Sequence, residues 1–273
     1  IMAEHRFADF NGLVLFRRNY KERDMLVKIL TDRFGKKMFY LRGANKPRFR
    51  MSAAILPFTK AEYGGDIRDE GLSFLNNVKS ASQFQAISND LFLNAYATYI
   101  LNLIDVAFPD SQPLGFWYDK VEQALSLIDE GFDAAMITHI IEIQLLQVFG
   151  VQPQLESCAV CGRTDLAFDY SESYGGLLCQ RHWHLDPNRL HANQRALYYL
   201  RLFSVIDLFK IQSVTVKPET EVALKTIVDR IYQNSVGLVL KSKQFIDKMA
   251  TFDSQLPKLK KVSPEIDTAA KDD

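Results

Sequence analysis

The hydrophobic pattern of this chain changes period once, between residues 78 and 89. Before that point apolar residues alternate; after it they recur every three or four positions, so strands give way to helices. Residues 12–18 run apolar and then basic, and residues 19–24 form a polar turn. Met25, Val27 and Ile29 alternate with Leu26, Lys28 and Leu30, which is strand periodicity. A second turn at 34–37 leads to a third strand at 38–43, and a loop at 44–50 contains Pro47. A fourth strand is expected at 55–60 and a fifth between 67 and 78, beyond a turn at Gly64 and Gly65. Five short strands in under 80 residues fit a small closed barrel of the oligonucleotide-binding (OB) kind. An open sheet packed on a helix is the other arrangement they allow.

The helical part starts at about residue 89 and runs to Pro109 and Pro113, which end its first helix. A second helix is expected at 116–129, stopping near Gly131. Asp133 has the chemistry of an N-cap for a third, at 134–149, which ends at Gly150. Helix resumes at about 190–210, again at 218–234 with Pro218 as its first residue, and at 242–250. From Ser254 onward the chain is polar and charged with little to bury, and disorder is expected. The fold class is therefore α+β: an OB-fold β-barrel domain at 1–80, then an all-α helical domain at 81–253 with an inserted zinc-binding module at 155–185, and a tail at 254–273.

Charge is unevenly placed. The chain carries 33 Lys/Arg and 33 Asp/Glu, yet residues 1–60 hold 14 basic and 5 acidic side chains, and the rest hold 19 and 28. Cations at strand ends and turns, interleaved with Phe and Tyr, suit a polyanion with flat bases, meaning single-stranded nucleic acid. Arg17, Arg18, Lys21 and Arg23 fall at the end of the first strand and its turn. Lys36, Lys37, Arg42, Lys46, Arg48 and Arg50 fall in the next turn and loop. In a small barrel these turns share a rim along which a phosphate backbone can run. Phe34, Phe39, Tyr40 and Phe49 are candidates to stack bases or to fill the barrel core.

Residues 158–182 read Cys158-x2-Cys161-x17-Cys179-x2-His182. Two close pairs separated by 15–20 residues is the spacing of a structural zinc site, and Gly162, Gly175 and Gly176 supply backbone where the chain must bend. Four protein ligands fill a tetrahedral Zn2+ and leave no position for a substrate. His184 stands two residues beyond His182 and is the alternative fourth ligand. His139 lies among isoleucines on a helix and reads as a core residue.

No phosphate-binding G-x-x-x-x-G-K-[ST] loop, G-x-G-x-x-G turn, G-x-S-x-G elbow or H-E-x-x-H helix occurs, which favours a binding protein over an enzyme. No run of about 18 apolar residues occurs, so no membrane partner is expected. The polar N-terminus lacks a secretory core, and three cysteines do not make a disulfide framework. A reducing cytoplasm is the expected compartment.

Two blocks carry a family resemblance. The first is Gly12 to Leu15, Asn19 to Asp24, Leu30-Thr31, Phe34-Gly35-Lys36, Arg42-Gly43-Ala44 and Lys46-Pro47; the second is Leu155 to Gly162 with Gly175 to Cys179. In this order they resemble the bacterial RecO family of DNA repair and recombination mediators, over about residues 3–250. The resemblance implies an OB barrel followed by a helical domain with an inserted zinc module. It implies binding of single- and double-stranded DNA, annealing of complementary strands, and help in loading the RecA recombinase. The strands concerned are coated by single-stranded-DNA-binding protein (SSB). RecR and the acidic C-terminal tail of SSB are the implied partners, with a nucleoid-associated location; Arg195 and Arg201 are conceivable contacts for that tail. Many metal-bearing members have four cysteines, and here His182 takes the last position. The composition alone equally suits a zinc-containing RNA-binding factor of translation or ribosome assembly.

Overall fold

Strand β1 (His5–Tyr20) is long enough to serve two neighbours. In the computed structural model, which describes residues 5–255, its first half pairs antiparallel with β4 (Thr59–Arg68) and its second half with β2 (Asp24–Thr31). A bulge between Val14 and Phe16 bends the strand where it passes from one partner to the other. Gly12 sits at the crossing; a Cβ there would lie 2.5 Å from Ile29 and 3.1 Å from the Tyr63 ring. With β3 (Gly35–Leu41) and β5 (Ser73–Gln83), the strands close in the order β1-β2-β3-β5-β4. This is the five-stranded OB-like barrel. Its last strand runs to Gln83, past the boundary expected at residue 80.

Two local expectations need correction. Residues 53–55 are a 3-10 turn rather than the start of a strand. Ile55 is buried, and the Tyr63 hydroxyl donates to the Ala54 carbonyl at 2.5 Å, so the turn closes the barrel interior. Gly64 and Gly65 are not a turn. They lie inside β4, opposite Asp9 and Ala8 of β1 and Asn77 and Leu75 of β5; a Cβ at Gly65 would lie 2.7 Å from the Phe74 carbonyl of β5, and one at Gly64 would meet the Asn77 side chain.

The helices are α1 (Gln85–Asn89), α2 (Leu91–Ala107), α3 (Phe116–Asp129), α4 (Ala134–Leu145), α5 (Gln194–Val205), α6 (Pro218–Ile231) and α7 (Lys241–Gln255). The second helix expected from sequence matches α3 end to end. Side chains cap three of the others: Asp90, Asp133 and Asn193 each accept two backbone N–H bonds in the first turn of α2, α4 and α5. Helix α4 is buried on nearly every face and is surrounded by α2, α3, α5 and α6, as befits a helix that is apolar all round. It tolerates Glu142 because the Tyr99 hydroxyl reaches one carboxylate oxygen at 2.7 Å and His139 Nδ1 the other at 2.6 Å. Between α4 and α5 a two-stranded ribbon forms from β6 (Phe168–Ser171) and β7 (Gly176–Cys179). No helix among the described residues is long and apolar enough to cross a membrane. The expected disordered tail is α-helical through Gln255, and residues 256–273 lie outside the described residues.

The barrel docks on the helices through its outer wall. Leu13, Leu15, Leu30 and Phe58 join the hydrophobic core of the helical domain. Beside them Lys28 and Lys36 are buried, and both ammonium groups face the same two carboxylates. Lys28 Nζ lies 2.6 Å from Asp105 and 3.0 Å from Asp110; Lys36 Nζ lies 3.0 and 3.1 Å from them. Burial opposes the charge of Lys28, but the two carboxylates outweigh it and raise its pKa. Lys60 pairs with Glu122 of α3 along the same seam. Asp105→Ala would leave two buried ammonium groups facing one largely exposed carboxylate. About 3 kcal/mol of stability is expected to be lost, read as a lower urea midpoint, and an unchanged midpoint would remove this cluster's role in docking.

Candidate nucleic-acid interface and metal centre

Register decides which cations are available. Residues directly opposite one another in neighbouring strands point to the same face. Arg18 faces Leu26, Leu26 faces Tyr40, and Tyr40 faces Phe74. Two residues further toward the open end come Tyr20, Asp24 and Arg42 on the same outer wall. Two residues the other way come Phe16, Lys28 and Met38, then Leu30 and Lys36. One outer wall is thus half free and half covered by the helical domain.

Asp24 organises the free half. Its carboxylate accepts from the Tyr40 hydroxyl at 2.6 Å and from Gly43 N–H at 2.8 Å, while Asn45 donates from its side chain to the Asp24 carbonyl. The Asn45 amide also reaches the Arg23 carbonyl. The Tyr40 hydroxyl first, and then the Gly43 amide, hold the Asp24 carboxyl below its ordinary value. The turn after β1 is thereby fastened to the loop after β3. Arg17, Arg18, Lys21 and Arg23 at the end of β1 and its turn, and Arg42, Lys46, Arg48 and Arg50 after β3, are all exposed; Arg17, opposite Val27, has the other parity from Arg18. Sequence reasoning gave Asp24 no role. Its signal was present as an acid at the turn of a basic hairpin, but its two partners come from β3 and the loop beyond it.

Lys36 and Lys37 do not belong to the rim. Lys36 lies on the covered half of the wall in the ion cluster with Asp105 and Asp110, and Ser111 N–H bonds its carbonyl. Lys37, opposite Ile29, has the other parity and turns inward. Its ammonium donates to the carbonyls of Arg68 at 2.7 Å and Asp69 at 3.3 Å, and burial lowers its pKa. The expectation that both lysines contact nucleic acid is corrected: the helices take the first and the barrel mouth the second. Among the aromatics, Phe34 and Phe39 are buried in the barrel core, whereas Tyr40 and Phe49 are half-buried at the rim.

The four expected metal ligands converge. Cys158, Cys161, Cys179 and His182 place their donor atoms within 4.8 Å of one another. A tetrahedral ion with metal–sulfur bonds of about 2.3 Å separates two sulfurs by about 3.8 Å and a sulfur from an imidazole nitrogen by about 3.5 Å. Cys161 and Cys179 Sγ are 3.8 Å apart, and His182 Nδ1 is 3.6 Å from Cys158 and 3.3 Å from Cys179. The chemistry and spacing of the donor set therefore fit a metal ion. Burial disfavours the Cys158 thiolate, but the amides of Cys179, Cys161 and Val160, with His182, bring its pKa down to about 6. His184 is exposed, its ring 6.4 Å from that of His182, and it is outside the group. Gly162, with φ +70°, makes the tight turn after the first pair, and its N–H bonds the Cys158 carbonyl. Arg201 donates to the carbonyls of Leu155 and Glu156, so it ties α5 to the chain entering this module.

Residues 2–84 match the family described as "Recombination protein O N terminal", and residues 88–244 match "Recombination protein O C terminal". The chain is 85% identical to a DNA repair protein RecO of Latilactobacillus sakei over 272 residues, covering 100% of both. It is 60% identical to a DNA repair protein RecO of Lactiplantibacillus plantarum, covering 90% of this chain and 95% of that one. A third relative of that name, from Enterococcus faecalis, is 47% identical over 91% of this chain and 95% of its own. The RNA-binding alternative finds no support among these relatives.

One metal ion per chain is expected in gently purified protein. Cys158→Ser and His182→Ala should each lose or loosen it, while His184→Ala should retain it. Elemental analysis with a chelator titration checks this; retention by the His182 variant and loss by the His184 variant would reverse the ligand assignment.

Proposed function

This chain belongs to the RecO family of DNA repair proteins, and we propose that its free barrel rim is the surface that holds DNA strands during recombinational repair. The observation that carries the reading is the clamp made by Asp24, which fastens the turn bearing Lys21 and Arg23 to the loop that follows Arg42; Arg17, Arg18, Lys46, Arg48 and Arg50 are exposed on the segments that flank it. Bringing two strands together opposes phosphate repulsion, and a dense cationic edge offsets it. Each phosphate contact releases counterions, so binding weakens steeply as salt rises. The work is strand holding and annealing, without making or breaking bonds. The partners that go with this role are RecR and the acidic C-terminal tail of SSB, with RecA loaded onto the strands that SSB had coated. The site of action is the nucleoid in the cytoplasm.

We assign Zn2+ to Cys158, Cys161, Cys179 and His182, because three thiolates and one imidazole converging within 4.8 Å suit that ion, which takes four such ligands. Bound there, it supplies a structural cross-link and no catalysis. The residues themselves join the Cys158 turn, strand β7 and the segment after it, and so hold the β6–β7 module closed against α5.

Combined Arg17→Ala, Arg18→Ala, Arg42→Ala and Arg48→Ala is expected to weaken binding of a single-stranded oligonucleotide at least about tenfold. It should also flatten the dependence of log affinity on log salt by about 3, since each phosphate contact on a single strand contributes about 0.7. Fluorescence anisotropy over a salt series measures both, and strand annealing should fall in parallel. Unchanged affinity and slope would reject the rim.

A further inference from the structure

The same free half-wall carries a row of rings that the charge argument does not use. Tyr20, Tyr40 and Phe74 come from three different strands, β1, β3 and β5. Their centroids are 6.0 and 5.9 Å apart, and both steps are edge-to-face, at 88° and 85°. A cation closes each end of the row. Lys21 Nζ lies 5.4 Å from the Tyr20 centroid, and the Arg68 guanidinium lies 4.7 Å from that of Phe74. Leu26 is buried beneath the row, and Tyr20 remains 38% exposed. Beside the row runs a groove of about 630 Å³, whose other side is Phe49 and Met51 from the loop after β3. Its volume falls within the range of small-ligand sites.

Rings of this kind could serve only to cover Leu26. Three features point further. The rings stand on the half of the wall that the helical domain leaves free. Cations of a strongly basic module stand at both ends of the row. And a groove with apolar sides opens next to them, between Arg42 and Lys21. An apolar groove bordered by cations matches a ligand that is flat and apolar on its faces and anionic along its spine.

We propose that Tyr20, Tyr40 and Phe74 form a stacking track for the unpaired bases of a single DNA strand, with Lys21, Arg42 and Arg68 placed to take the intervening phosphates. This rests on the rim reading above and adds to it the part of the strand that is recognised. Stacking engages the face of a base and is tolerant of sequence. The one carboxylate lining the groove, Asp24, already accepts from Tyr40 and Gly43, so it is committed to the floor rather than to base edges. A strand held by its base faces keeps its pairing edges open to a complement. The track therefore selects single strands over duplex and leaves them competent to anneal.

The test compares two oligonucleotides of equal length and phosphate count, one with bases and one abasic, by anisotropy on the full chain. The wild type is expected to bind the base-bearing strand about tenfold or more tightly than the abasic one. Tyr20→Ala combined with Phe74→Ala should abolish that difference while leaving abasic binding and its salt slope intact. Equal affinity of the wild type for both strands overturns the track and leaves the cationic rim standing; failure to hold either strand at low salt overturns both. Should the double variant not fold, the wild type decides alone. Photocrosslinking with a 5-iodouracil strand is expected to map to Tyr20, Tyr40 or Phe74, and crosslinks confined to the helical domain would overturn the assignment.

Discussion

The double pairing of β1 is the constraint from which the other features follow. One strand hydrogen-bonds to β4 over its first half and to β2 over its second, and this closes five strands without leaving an edge. Closure needs a bend at Leu15 and a residue without a side chain at Gly12. It also fixes the parity of every neighbouring strand. Once β1 is set, Lys28 and Lys36 must face outward toward the helices, Lys37 must face inward, and Arg18, Tyr20, Tyr40 and Arg42 must share the free half of the wall.

The helical domain then divides the barrel's charge. Asp105 and Asp110 take two lysines out of play, and Lys60 goes to Glu122. Lys79 is held by Asp9 and Glu62 on another part of the barrel. These pairs differ in worth. Those at Lys28 and Lys36 are buried and costly to break singly, whereas the partly exposed Lys79 pairs contribute little. None of the rim cations takes part in these pairs.

Much of this was readable in the sequence, and the limits have physical causes. Local signals sufficed where a side chain acts on its own turn: Asp133 capping α4, Pro218 opening α6, and the apolar period of α3. The metal ligands were also legible, because two short pairs bring their own geometry and need only one ribbon to bring them together. The failures are all non-local. Gly64 and Gly65 have the composition of a turn, and only the close approach of β1 and β5 shows them to be strand. Lys36 and Lys37 look like a basic turn because the sequence does not say which half of the wall another domain will cover. For Lys37 the parity with Phe39 was two residues away and would have pointed it inward. Phe74 carried no signal beyond its hydrophobicity, since its place beside Tyr40 depends on a parallel pairing of β3 with β5.

A chain of zero formal charge is an unexpected binder of a polyanion, and the arrangement of its acids resolves the difficulty. Exposed charges interact over about 8 Å at physiological ionic strength. Acids farther than that from the rim do little to cancel its field, however many they are. At the rim itself Asp24 is spent on Tyr40 and Gly43, and Glu22 is an exposed acid set among Lys21, Arg23 and the other cations there. On the proposed reading, the helical domain can therefore be acidic without weakening the barrel's hold on phosphate. Neutrality of the whole limits indiscriminate attraction at long range, while the local cationic edge acts only on a strand that has come close enough to reach it.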